Sequence, residues 1–220
     1  MTLLVFERLA GSPPPERELL TLEADGSAVA WLSNGPAVGR FGGPVVDLAA
    51  IRGAAAAVAD LDVPGPIQVP PGAAIETIEI AGRTTRFVAR RPVIGQWAPL
   101  VEACRSALKA ISASPVAAIA GTVLPDGRFR LEHRGTVALP VELASLQVRF
   151  TLWRGGAEAG EGRAANAGQG RVDAGPGWSL ELAPDLLDLT GGGTLVAEAT
   201  FVADDGGVFV PVRISANAAV

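Results

Sequence analysis

The sequence predicts a two-domain chain. An α+β domain of antiparallel strands with two helices spans residues 1–113, and an all-β immunoglobulin-like sandwich spans 114–220. Three observations predict this. Apolar residues recur at helical spacing at Leu48, Ile51, Ala55 and Val58, and again at Leu100, Cys104, Leu108 and Ile111, all before residue 113. Beyond Ser114 that period gives way to alternation, cleanest where Leu146, Val148, Phe150 and Leu152 interleave with Gln147, Arg149 and Thr151. Turn signals separate roughly seven or eight such short segments, the pattern of an antiparallel sandwich.

The elements follow in order. "TLLVFERL" reads as a first strand, and the prolines of "PPPE" force an extended excursion. "RELLTLEADGSAVAWL" reads as a hairpin turning at Asp25-Gly26. Gly35, Gly39, Gly42 and Gly43 then crowd a segment that reads as a loop leading into the first helix, with Asp47 at its cap or in its first turn. Within that loop, Gly42 or Gly43 is expected to take positive φ. "DVPGPIQVPPG" is a proline-rich connection, and "AAIETIEIAGRTTRFVARR" a second hairpin around Ala81-Gly82. The second helix starts near Trp97 with Pro99 in its first turn, and "SASP" ends it.

In the second half, "PVAAIAGTVLPDGRFRLEHRG" is a hairpin closed at Pro125-Asp126-Gly127. "TVALPVEL" and "SLQVRFTLW" read as two strands, and Gly155–Gly170 as a flexible polar stretch. The segments around Trp178, Thr194–Gly207 and Val208–Ala216 complete the series.

Composition limits function. Hydrophobic residues are 49% of the chain and charged residues 19%, enough apolar material for a substantial core. The net charge of −5 gives no general pull toward nucleic acid. One cysteine excludes an intrachain disulfide and any multi-cysteine metal site. "MTLLVFERLAGSPPPE" lacks a basic leader region, and no run approaches a membrane span, so a cytoplasmic location is the expectation.

Candidates for chemistry are few. No Gly-Lys-Ser/Thr follows the glycine segment and its spacing does not match G-x-G-x-x-G, so it is expected to turn the chain and hold no nucleotide. His133 has no nucleophile elbow to serve and reads as an exposed or edge-strand residue. Cys104 lies on an apolar helix face and reads as buried and unreactive. The carboxylate pairs Asp204/Asp205, Asp185/Asp188 and Glu158/Glu161 lack an ordered calcium-loop pattern, and Asp204-Asp205-Gly206-Gly207 reads as a hairpin turn. Arg83, Arg86, Arg90 and Arg91 split between two strand faces. Arg40 and Phe41 beside the glycines, Trp153 with Arg154 at a strand end, and Trp178 are the candidate binding residues. No catalytic residue, metal ligand or cofactor is assigned.

Residues 3–111 resemble the emfourin family, small proteinaceous inhibitors of thermolysin-like metallopeptidases. "FERLAG", "AVGRFGG", "DLAAIRGAAAAV", "IETIEIAGRTTRFVAR" and "WAPLVEACRSAL" carry the resemblance, and "LAGSPPPE" departs from it. The resemblance implies a peptidase-inhibitor-like module and assigns no inhibitory residue. The resulting expectation is a non-catalytic protein-binding or assembly component, its partner another protein or a second copy. The alternatives are a hydrolase with a carboxylate site and a carbohydrate-binding sandwich using Trp153 or Trp178.

Overall fold

The computed structural model describes residues 1–10, 16–45, 47–62, 68–89, 91–164 and 169–220. The sequence expectations for "PPP", for "VPGPI" and for Arg90 lie outside these residues, as does part of the Gly155–Gly170 stretch. The described chain is mostly β-strand with two helices. It divides into two compact units, Met1–Leu32 with Arg40–Pro115, and Ser33–Gly39 with Val116–Val220.

Three strands open the chain: β1 (Thr2–Ala10), β2 (Glu16–Glu23) and β3 (Ser27–Leu32). The β2–β3 turn forms where Asp25-Gly26 predicts it. Gly26 has φ 91°, and the Asp25 carboxylate accepts from the Ser27 amide at 2.9 Å. Next come β4 (Asn34–Gly35) and β5 (Ala37–Pro44), so the expected glycine loop is largely extended strand. The positive φ angles of this segment belong to Gly35 (128°) and Gly39 (122°), not to Gly43. Gly39 is needed where it stands, because a Cβ there would lie 2.4 Å from the Ala117 carbonyl oxygen.

Helix α1 (Leu48–Val58) is capped by the Asp47 carboxylate, which accepts from the Ala50 amide at 3.0 Å. It buries Ile51, Ala55 and Val58, as the spacing predicts. The hairpin β6 (Ile75–Ile80) and β7 (Arg83–Val88) closes through Ala81 and Gly82, both at positive φ (50° and 74°). That is the type I′ requirement. Helix α2 (Ala98–Ile111) begins after Trp97, has proline in its first turn, and buries Leu100, Cys104, Leu108 and Ile111.

In the first unit the strand order is β3-β2-β1-β6-β7 with antiparallel neighbours. Leu4, Phe6, Leu20, Leu22 and Ile78 point to one face and are fully buried. Trp97 packs down against Phe87, ring centroids 5.9 Å apart, as the sequence predicts.

The second unit contains β8 (Pro115–Val123, from Val116), β9 (Phe129–Gly135), β10 (Leu139–Arg154), β11 (Ala157–Arg163), β12 (Arg171–Ala174), β13 (Ser179–Leu182), β14 (Thr194–Asp205) and β15 (Val208–Ala219). One set of strands runs β13-β9-β8, and a second runs β11-β10-β14-β15-β4, with β12 alongside β10. Their inner side chains meet: Phe129 of β9 and Phe150 of β10 pack edge to face at 6.4 Å, and a Cβ on Gly121 of β8 would strike Ile214 of β15. Gly121 therefore lets β8 approach β15 closely.

Two expectations fail here for physical reasons. "TVALPVEL" and "SLQVRFTLW" are one strand, β10, with a register shift against β14 between Glu142 and Gln147. The Ser145 hydroxyl patches the interrupted ladder, accepting from the Val202 amide at 2.9 Å and donating to the Glu142 carbonyl at 2.7 Å. The expected flexible stretch is strand β11 over Ala157–Arg163, since pairing with β10 satisfies backbone groups that its glycine-rich composition leaves unmarked.

Candidate functional site

Strand alternation builds the site. In β10, Val148, Phe150 and Leu152 point inward and are buried, so Arg149, Thr151 and Trp153 point out. Strand register then sets their neighbours. Arg149 lies opposite Arg163 of β11 on one side and Glu198 of β14 on the other, and Glu198 lies opposite Ser215 of β15. One step along, Gln147, Thr200 and Arg213 form a second outward row. In the other direction come Glu161, Thr151, Val196 and Asn217, then Glu158 and Trp153.

An open hollow of about 650 Å³ lies over the first two rows, lined chiefly by Arg149, Arg163, Glu198, Thr200 and Arg213. Arg149 donates to the Glu198 carboxylate at 2.8 Å. That bond, with the charge of Glu198 and more weakly of Glu161 and Glu158, holds the Arg149 guanidinium above its ordinary range. Arg163 forms no ion pair with the described residues. Two guanidiniums on directly opposed positions repel, and such a pair is unfavourable unless an anion covers it.

The other charged cluster is built around a buried carboxylate. On the helix-covered face of the first unit, Glu18, Arg8 and Glu76 form a cross-strand row through β2, β1 and β6. Glu76 is 0% exposed. It accepts from Arg105 of α2 at 2.6 Å and from Arg8 at 3.2 Å, while Arg8 also reaches Glu18 at 2.5 Å and Arg105 reaches Glu102. A carboxylate with two guanidiniums in place is neutralised where it stands. Cys104 sits beside it, fully buried, and its thiol is pushed up to about 12 by burial and then by the Glu76 charge. The sequence expectation of an inert thiol agrees with that environment.

The sequence-based candidates scatter. Phe41 is 2% exposed and belongs to the core, because its strand turns that position inward, and Arg40 beside it is half-buried. Trp178 is half-buried, its carbonyl accepts from the His133 amide at 3.0 Å, and its ring borders the small void near Ile119 and Phe201. Arg154 is spent on backbone, donating to the Gly192 and Asp188 carbonyls at 2.8 Å each. Trp153 alone is exposed, at 40%, and it lies at the end of the open face.

His133 is neither exposed nor on an edge. It is half-buried in β9, which runs between β8 and β13, and its Nε2 lies 2.8 Å from the Val137 carbonyl oxygen. Arg83 is tied to the carbonyls of Ala59 and Leu61. Asp204-Asp205-Gly206-Gly207 does close the β14–β15 hairpin, with Gly206 and Gly207 at φ 64° and 101°. Among the described residues there is no grouping of histidine, cysteine or carboxylates fit for a metal, and no helix is long and apolar enough to cross a membrane.

Sequence reasoning named Arg149 as outward-facing and Glu158/Glu161 as a carboxylate pair, but it did not join them. The missing quantity is strand register, which brings residues 14 and 49 positions away in sequence beside Arg149. No protein-family model matches the chain, and neither a curated protein nor a solved structure matches it.

Proposed function

We propose that the chain is a non-catalytic protein-binding component, and that the outward face of β11, β10, β14 and β15 is its contact surface. The observation that carries this is the opposition of Arg149 and Arg163 on neighbouring strands above an open hollow. Isolated, the pair is a cost to the fold; covered by a partner's carboxylates, it becomes a set of charge-assisted hydrogen bonds. The surface stands on paired strands of a packed unit, so its side chains are presented with little backbone ordering on binding. Glu198, the one carboxylate in the hollow, is already engaged by Arg149, and the other charges spread across the strands without converging on one point. The two face-packed sets of strands support an immunoglobulin-like reading of this unit, a fold that hosts many recognition functions. The inhibitor-like resemblance of residues 3–111 is compatible with the same class.

Exposed Trp153 favours a second reading, a saccharide stacked on its ring at the end of the face. Capture from native-cell extract distinguishes the two. Immobilised protein retains a protein partner that is released between about 0.05 M and about 0.5 M salt and is not retained by Arg163→Glu. A partner held equally by the variant contradicts the assignment of the face. Saturable oligosaccharide quenching of tryptophan fluorescence, abolished in Trp153→Ala, establishes the second reading in its place.

A further inference from the structure

We infer that the partner of this face is a second copy of the same chain. The inference rests on reading the face as a contact surface, and it comes from how charge is distributed along the strands. At one end are Arg163, Arg149 and Arg213, with Glu198 among them. At the other are Glu161 and Glu158, both exposed and on the same side of β11 as Arg163. The face is basic at one end and acidic at the other.

Such a surface is self-complementary under one two-fold rotation. Let the axis lie in the plane of the face, perpendicular to the strands, between the Arg163 and Glu161 rows. Each strand then lies over its own counterpart, running the opposite way. Arg163 of one copy meets Glu161 of the other, twice, because a two-fold contact repeats itself. The same rotation lays Gln147 over Trp153 and Arg149 over Thr151, and places no like charges directly against each other. A two-fold axis along the strands, between β10 and β14, would instead lay Arg149 over Glu198 but leave Arg163 over Ser215 and Glu161 over Asn217, without a charged partner.

The area fits a weak dimer. Four strands about 4.8 Å apart, with four outward positions about 6.8 Å apart along each, make a face on the order of 500 Å² per copy. Two copies bury about 1,000 Å², near the lower bound for a specific interface. The expected association is therefore reversible and salt-sensitive, in the micromolar range of such contacts.

The test is sedimentation of the purified full chain, alone and in mixtures. The unmodified protein forms a dimer that weakens as salt is raised. Arg163→Glu and Glu161→Arg each weaken it at least about tenfold, since each sets like charges face to face. Mixing the two single variants restores a dimer: the carboxylate introduced at 163 meets the guanidinium introduced at 161, and the native Glu161 meets the native Arg163. The double variant also pairs with itself. A monomer at every concentration overturns the inference, as does a dimer indifferent to both substitutions or single variants that stay apart on mixing. If the chain is monomeric but its extract partner is still lost in Arg163→Glu, the second copy is wrong and the contact surface stands. If it dimerises regardless of both substitutions and Arg163→Glu still holds the extract partner, the surface itself is wrong.

Discussion

The buried row Glu18–Arg8–Glu76–Arg105 and the open row Arg163–Arg149–Glu198 use the same ion types on the same kind of scaffold, yet they solve opposite problems. In the first, carboxylates and guanidiniums alternate, and the central Glu76 is sealed from water with two cationic partners. In the second, two guanidiniums lie directly opposed and only Glu198 is ion-paired with them, Glu161 and Glu158 acting on Arg149 more weakly. Water tolerates that arrangement; a core would not. The contrast teaches that alternation of charge across strands marks a cluster serving the fold, while an unbalanced exposed row leaves interaction capacity for something outside it.

Glu76→Ala should break the first row with the largest effect. Removing the carboxylate leaves Arg8 with Glu18 alone and Arg105 with Glu102 alone near an apolar face, and breaking a buried pair costs about 3 kcal/mol or more. For a unit of roughly 100 residues that lowers the melting temperature by roughly 12–24 °C, read by calorimetry. A change under about 1 kcal/mol would show that water reaches the cluster.

In the second unit, Gly39 stands where strand backbones approach closely. Gly39→Ala should therefore cost about 2 kcal/mol, because it combines φ 122° with a Cβ 2.4 Å from a carbonyl oxygen. Urea titration reads this loss. Full stability in the variant would mean that β5 shifts freely at that point.

Cys104 reports on the first row from beside Glu76. With its folded value raised to about 12 against 9.0 for the free thiol, it stays protonated in the native chain. Its contribution to stability is complete below about pH 9 and is lost as pH rises toward 12. At pH near 8, a thiol reagent should label the native protein at least about a hundredfold more slowly than the unfolded chain. Equal rates would place the thiol at the surface.

Local signals carried much of this fold. Asp47 before a helical apolar repeat, Ala81-Gly82 between alternating runs and Pro125-Asp126-Gly127 each act within a few residues, and each forms the predicted cap or turn. Their physics needs no distant partner. The glycine segment misled because glycine permits a turn without requiring one; here Gly39 serves a close approach of strands instead. Glu76 was silent for a related reason. In "IETIEI" it occupies a position that looks polar and outward, and only Arg8 and Arg105, far away in sequence, make its burial affordable. The open face was half legible: alternation turned Arg149 and Trp153 outward, but pairing with β11 and β14 decided what surrounds them.

On the proposed reading, the charges of the open face serve contact and not the fold. Sedimentation and thermal melting of Arg163→Glu, measured on the same preparation, test it most directly. The expected result is a melting temperature within about 2 °C of the unmodified chain, as befits an exposed position, together with association weakened by about tenfold or more. A variant that melts well below the unmodified chain while associating as before would contradict it, and would return Arg163 to the fold.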